Sequence, residues 1–212
     1  MIAAPPSPLF ATLSSRLGGD AEPLAEDAIS ELVEQARGGD AGARRRLYTQ
    51  HVDRVFRTVR GMLRSDADAE DVTQDALLTV LTSLHRYAPR ADARFAAWVM
   101  AIAVNTVRRR FRRRRPELTA TGELPETADE AVDPAIELDR ARQRRALLIA
   151  LGELPERERA IVSLRYGAEL NASEIAAIVG LEPATIRKIL ERARTRLGAR
   201  LEALLSPDGG MA

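Results

Sequence analysis

Residues 171–194 read Asn171-Ala-Ser-Glu-Ile-Ala-Ala-Ile-Val-Gly180-Leu-Glu-Pro183-Ala-Thr-Ile-Arg-Lys-Ile-Leu-Glu-Arg-Ala-Arg194, and this spacing is that of two helices joined by a tight turn. In the first, Ile175, Ile178 and Val179 form a buried stripe, and the Ala176-Ala177 pair allows close contact with a neighbouring helix. Gly180 supplies the turn. Pro183 suits a first helical position, and Ile186, Ile189 and Leu190 form the second stripe. Thr185, Arg187, Lys188, Glu191, Arg192 and Arg194 are left facing outward near the start of the second helix, where a major-groove reader needs its side chains. Arg187 and Arg192 are candidates for guanine edges, and Thr185 and Lys188 equally for phosphates. The competing reading is a helical hairpin with a solvated basic face, in which Arg187 and Glu191 form only a local pair.

Outward from this hairpin the same three- and four-residue periodicity continues, and alternating strand patterns are absent, so the chain reads as all-α. Helices are expected at about 135–151, 156–166, 173–179 and 183–204, which gives a four-helix domain over 135–206. Before it, residues 116–134 are acidic, interrupted by Gly122 and Pro125 and poor in large apolar side chains, so they read as a flexible linker. A first helical domain is expected over 28–115. It holds a helix from Ala28 to the Gly38-Gly39 pair, one capped by Asp40 and ending near Ser65, one from Ser65 or Asp66 to about Leu84, and one from about Asp92 to Arg113. Pro89 keeps the segment between the last two out of helix. Residues 1–27, with Pro5, Pro6, Pro8 and Pro23, read as a flexible tail.

The chain has 212 residues, 45% of them hydrophobic, which is enough for a substantial core. No apolar run is long enough to span a membrane, and the start lacks the basic n-region of a secretory signal. The absence of cysteine removes disulfides and thiolate metal sites, and the two histidines, His51 and His85, are far apart. No cofactor, metal or catalytic residue is expected, and a cytoplasmic, non-enzymatic protein fits best.

The formal net charge of +1 conceals alternating blocks. Residues 66–75 carry five acids and no base, 108–115 are seven arginines and one Phe, and 116–139 carry eight acids and no base. Of the 32 bases only Lys188 is a lysine, so 31 are arginine, the cation suited to bidentate phosphate and guanine contacts.

Two faces of the first domain bear on function. On the third helix, Asp71, Gln74, Asp75 and Leu78 fall three and four apart and share one side, while Val72, Ala76, Val80 and Leu84 make the core stripe. An acidic face with a leucine suits a basic partner helix, although a solvated face is the usual fate of such charges. A calcium loop is excluded because the glycine required at its sixth position is Asp71. On the fourth helix, Phe95, Trp98, Val99, Ile102 and Thr106 form the core stripe. The opposite side carries Arg94, Ala97, Ala101, Asn105, Arg108 and Arg112, a basic face that continues through Arg109 into the arginine run at the helix C-terminus. His85 and Tyr87 in the preceding loop are placed to stack on or wall off an extruded base.

Three stretches, in order, resemble the bacterial extracytoplasmic-function (ECF) sigma factors of the sigma-70 family. Asp68-Ala-Glu-Asp-Val-Thr-Gln-Asp75 is similar to that family's core-polymerase-binding segment. Phe95-Ala-Ala-Trp-Val-Met-Ala-Ile-Ala-Val-Asn-Thr106 with its arginine run is similar to the promoter −10 helix. Leu154-Pro-Glu-Arg-Glu-Arg-Ala-Ile-Val-Ser-Leu-Arg-Tyr166, leading into the helix-turn-helix, is similar to the −35-reading domain.

The resemblance implies a dissociable promoter-specificity subunit of RNA polymerase, with the core enzyme's β′ and β subunits, promoter DNA and an anti-sigma factor as partners. Asp71, Gln74, Asp75 and Leu78 would meet core polymerase. His85, Tyr87, Arg94, Asn105, Arg108, Arg109 and Arg112 would serve the −10 element, Tyr87 holding a flipped base. Thr185, Arg187, Lys188, Glu191 and Arg192 would serve the −35 duplex, and the linker would thread the RNA exit path. Ile189 stands where the family often has a base. The alternative is an autonomous helix-turn-helix regulator of duplex DNA, to which the acidic face and the arginine-ended helix would be superfluous.

Overall fold

The computed structural model describes residues 24–63, 65–90, 93–113 and 134–206, with side chains from Arg142 onward in the last segment. The expected tail, except Leu24 to Asp27, and the expected linker, except Pro134, lie outside the described residues.

The elements are α1 (Glu26–Arg37), α2 (Ala41–Met62), α3 (Asp66–Thr82), a 3-10 turn (Leu84–Arg86), α4 (Phe95–Arg113), α5 (Pro134–Glu153), α6 (Glu156–Tyr166), α7 (Ala172–Val179) and α8 (Pro183–Leu205). Among the described residues there is no strand, only an isolated bridge between Arg90 and Ala93. The all-α reading stands.

Local chemistry sets the helix ends. α1 begins two residues before the expected Ala28, because Glu26 and Asp27 favour the positive end of the helix dipole. The Asp40 carboxylate accepts from the Ala43 N–H at 2.6 Å, as expected, and the Ser65 hydroxyl accepts from the Asp68 N–H at 3.3 Å, so of the two candidates Ser65 and Asp66 it is Ser65 that caps α3. α3 stops at Thr82 rather than Leu84, and the chain tightens into the 3-10 turn.

α7 has a reciprocal cap. Asn171 Oδ1 accepts from the N–H groups of Ser173 (2.9 Å) and Glu174 (3.0 Å), and Glu174 Oε2 accepts from the Asn171 N–H at 2.8 Å. At its other end Gly180 takes φ 70°, a left-handed conformation that turns the chain into α8.

The first four helices bury Leu47, Val52 and Val55 of α2, Leu77 of α3, and Phe95 and Met100 of α4. Each such side chain contributes roughly 1.5–3 kcal/mol when removed from water. This core does not stop at the first module. It runs on into Ile161 and Leu164 of α6, Leu170, Ile175 of α7 and Ile186 of α8. A separate small cluster of Leu151, Leu154, Val162 and Ala193 ties α5, α6 and α8 together. The two modules therefore share one hydrophobic core.

The seam between them is close because two glycines remove side chains from it. A Cβ on Gly61 of α2 would lie 2.5 Å from Ser163 Oγ of α6, and one on Gly167 would lie 2.8 Å from Thr58 Oγ1 and 3.0 Å from Thr58 Cα of α2.

Candidate nucleic-acid and partner interfaces

The helix-turn-helix exposes the side chains expected to face outward. Thr185, Arg187, Lys188, Glu191, Arg192 and Arg194 are all exposed, while Ile186 and Ile189 are buried beneath them. Ile178, Val179 and Leu190 are only half-buried, and of the alanine pair Ala176 is buried but Ala177 faces outward. A helix as short as α7 inserts one edge into the core, and Ala177 lies off that edge. A groove beside the turn is lined by Tyr166, Asn171, Ser173, Arg187, Glu191 and Arg194. Tyr166, 60% exposed at the end of α6, had no periodic signal to single it out from sequence.

On α3, Asp71, Asp75 and Leu78 are exposed and Gln74 is half-buried. Leu78, at 60% exposure, stands beside a groove between α3 and α4 that also includes Val72, Asp75, Thr82 and Arg109. The acidic face is partly neutralised from across this groove. Arg110 donates to Asp68 at 2.5 Å and to Asp71 at 3.1 Å. Burial alone would lower the pKa of Arg110, but these carboxylates outweigh it and hold the guanidinium more firmly charged. Arg110 was missed among the candidate residues, although it extends the stripe of Phe95, Val99, Ile102 and Thr106 by one further step of four.

The −10 candidates divide. His85, Asn105, Arg108, Arg109 and Arg112 are exposed, and Arg109 donates to the Thr106 hydroxyl at 3.1 Å. Tyr87 departs from its expected role as a free wall. Its ring is buried, edge-on to Phe95 with centroids 4.8 Å apart and tilted against Trp98 at 5.3 Å. Its backbone carbonyl accepts a hydrogen bond from Arg37 Nη2. An aromatic next to two others gains more from that cluster than from solvent. Ala97 is likewise buried, not part of an open basic face, because α4 packs against α7 as well as against α2 and α3.

Arg94 is turned the same way. Its Nε and Nη2 donate to the two carboxylate oxygens of Glu174, each at 2.9 Å, and Nη2 also donates to the Glu169 carbonyl at 3.0 Å. The Glu174 side chain is 1% exposed. Burial by itself raises its pKa, but the hydrogen bonds from Arg94 and from the Asn171 backbone prevail and hold it below the usual carboxylate range.

Beneath the aromatic cluster, His51 is buried with its ring 5.3 Å from Phe95, and among the described residues neither ring nitrogen has a hydrogen-bond partner. Burial, with a smaller contribution from Arg54, lowers its pKa to about 4, so the ring is neutral at pH 7. Among the described residues no cluster of His, Cys, Asp and Glu could hold a metal ion, and no helix is long and apolar enough to cross a membrane.

Comparison with known proteins matches both modules. Residues 47–117 match the model of Sigma-70 region 2, and residues 150–198 match Sigma-70, region 4. The chain is 33% identical to the ECF RNA polymerase sigma factor ShbA of Streptomyces griseus, covering 82% of this chain and 95% of that one. It is 31% identical to the ECF RNA polymerase sigma factor BldN of Streptomyces coelicolor, covering 85% of this chain and 66% of that one. Among solved structures, CnrH in complex with the cytosolic domain of CnrY is similar with a TM-score of 0.58 at 26% identity, covering 81% of this chain and 96% of CnrH. The fold also matches the sigma factor RpoE of Bartonella quintana, solved with the anti-sigma factor NepR, with a TM-score of 0.58 at 18% identity over 84% of this chain and 98% of that one. Two sigma-70 regions in their proper order, on a helical scaffold with an exposed recognition helix, place this chain among the extracytoplasmic-function RNA polymerase sigma factors of the sigma-70 family.

Proposed function

We propose that this chain is the subunit that directs core RNA polymerase to its promoters, with the roles of its surfaces divided between the two modules. It acts in the cytoplasm as a specificity subunit and leaves the chemistry to the polymerase. Residues 28–115 serve core binding and the −10 element, and residues 135–206 serve the −35 element, with 116–134 as the linker between them.

Asp75 and Leu78, flanked by Gln74 and Asp71, offer acid and an apolar side chain to a basic partner helix of the β′ subunit, while contacts to β complete the docking. The loop after α3, with His85, and the outer face of α4, with Asn105, Arg108, Arg109 and Arg112, serve the −10 strand. Tyr87 anchors that loop from inside, and Arg94 joins the DNA face only after leaving Glu174. Arg187 and Arg192 read base edges, Thr185 and Lys188 hold phosphates, and Glu191 limits which bases are accepted. CnrH is solved with the cytosolic domain of CnrY, which supports a protein partner for this chain too, and an anti-sigma factor is the class proposed.

The observation that carries this reading is the presence, in one chain, of an exposed recognition helix and a separate acid-and-leucine groove. An autonomous regulator needs only the first. The test is reconstitution with core polymerase on promoter DNA. Promoter-dependent initiation is expected. Tight binding to duplex DNA alone, without core binding, would favour the autonomous regulator. Asp75→Arg is expected to weaken core binding at least about tenfold, some 1.4 kcal/mol, with an unchanged thermal unfolding curve.

A further inference from the structure

We propose that α1 is a brace for the loop between α3 and α4, with Arg37 and Glu26 as positioning residues that set how His85 and Arg86 meet the −10 strand. The inference rests on the functional reading above, which gives that loop to the −10 element. It concerns a helix that precedes the residues 47–117 matched by Sigma-70 region 2.

Arg37 closes α1 and reaches the start of the loop. Its Nε donates to the Leu84 carbonyl at 3.0 Å and its Nη2 donates to the Tyr87 carbonyl, while Nη1 donates to Glu34, one turn back on the same helix. The two carbonyls bracket the 3-10 turn and belong to buried residues. They lie just past the end of α3, where carbonyl groups run out of helical partners. A guanidinium suits this place doubly, because it presents several donors in one rigid plane and brings positive charge to a helix C-terminus.

Glu26, in the first turn of α1, holds the far end of the loop. Its Oε2 accepts from the Phe95 N–H at 3.3 Å, one of the N–H groups at the start of α4 that have no partner within the helix. With 12 residues α1 is about 18 Å long, so one rigid element fixes both the exit from α3 and the entry to α4. The Tyr87 phenol feels both ends of the brace. Burial raises its pKa, Glu26 raises it further and Arg37 opposes them.

The brace determines what the loop shows to solvent. Between the two pinned carbonyls stand His85 and Arg86, both exposed, while Leu84 and Tyr87 on either side are buried. Tyr87 is seated on Phe95 and Trp98, so with its backbone also held the turn has little freedom to re-aim these two side chains. A strand with an extruded base binds best to a loop already in its bound shape, since ordering the loop on binding costs affinity. Loss of the pins reduces apparent affinity by the fraction of loops that remain competent.

The test uses the full chain assembled with core polymerase on a fork promoter whose non-template −10 segment is single-stranded. An abasic site placed at each −10 position in turn marks the bases that are read. Arg37→Ala is expected to weaken binding of the intact fork about tenfold and to flatten this abasic scan, with affinity for core polymerase unchanged within about twofold. Arg37→Lys keeps the charge but replaces the planar fork with one ammonium. It is expected to fall between the parent and Arg37→Ala, and it carries the test if the alanine variant does not fold. Glu26→Ala is expected to act in the same direction, less strongly.

The chain's single tryptophan gives an independent readout, because Trp98 packs on Tyr87. A loosened loop is expected to shift Trp98 emission to the red in the free Arg37 variants. An unchanged abasic scan with unchanged emission overturns the proposal. So does a loss of core binding in proportion to the loss on the fork, which would make Arg37 a general support of the fold. If the unmodified chain shows no base-dependent binding to the fork with core polymerase, the functional reading of the loop falls, and the Trp98 emission of the variants alone decides the brace.

Discussion

Helices α4 and α8 carry similar charge and are both proposed to face DNA, yet the structure leaves them in different states. On α8, Arg187, Lys188, Arg192 and Arg194 stand exposed above a buried stripe, on a helix whose approach is set by the capped α7 and the left-handed Gly180. On the α4 side, Arg94 is bound to Glu174, Arg110 to Asp68 and Asp71, and Arg109 to Thr106. The aromatic expected in the loop before α4 is tucked inward. Equal numbers of arginines thus do not make equal DNA surfaces. A cation already paired with a buried carboxylate must exchange partners to bind phosphate, and the pair it leaves is costly to break. If the two helices serve DNA as proposed, α8 offers exposed cations as they stand, whereas on the α4 side Arg94 and Arg110 would have to exchange partners first.

Acid should separate the two regions most strongly. Both histidines lie in the first module, and His51 is the buried one. Its pKa falls from 6.5 in the unfolded chain to about 4 in the fold, so between those values the unfolded chain binds a proton that the folded chain does not. Its contribution is therefore intact above pH 6.5 and is lost as pH drops, reaching about 3 kcal/mol near pH 4. Glu174, with its lowered pKa, adds to the loss in the same direction at still lower pH. Urea unfolding at pH 7 and pH 4.5 measures this, and His51→Leu should flatten the dependence whatever its effect on absolute stability.

The next effect bears on DNA. Arg192→Ala should weaken −35 binding by ~1–3 kcal/mol and relax specificity at one base position, with core binding unchanged. Titration of polymerase holoenzyme onto promoter variants reads both. A uniform loss across all sequences would instead make Arg192 a phosphate contact. The smallest effect is on preorganisation. Asn171→Ala removes the acceptor for two N–H groups at the start of α7 and should cost about 1 kcal/mol in thermal or urea unfolding. That loss would show how far the readiness of α8 depends on its capped neighbour.

Much of this was legible along the chain. Periodicity located every described α-helix, the cap at Asp40 was read directly and that of α3 was narrowed to Ser65 or Asp66, because a cap depends on residues only three apart. The exposed side of α8 followed from the positions of Ile186 and Ile189. The inward turn of Tyr87, the burial of Ala97 and the pairing of Arg94 were not legible. Each depends on what stands opposite, and a pattern of three and four says which side of a helix is apolar without saying how many neighbours it will have. Arg110 lay between these cases. Its place on the stripe was visible, but its two carboxylate partners lie 39 and 42 residues away.

The amino-acid sequence by itself determined the helices, the order of the two modules and the residues on the exposed face of α8, since all of these follow from local spacing and local hydrogen bonding. Only the tertiary structure decided that the modules share a core, that two glycines bring α2 and α6 together, and that Arg94 is held by Glu174 from 80 residues away. Such pairings arise where separate apolar surfaces gain by being buried together, and that gain depends on shape and distance between elements, which no window along the chain contains.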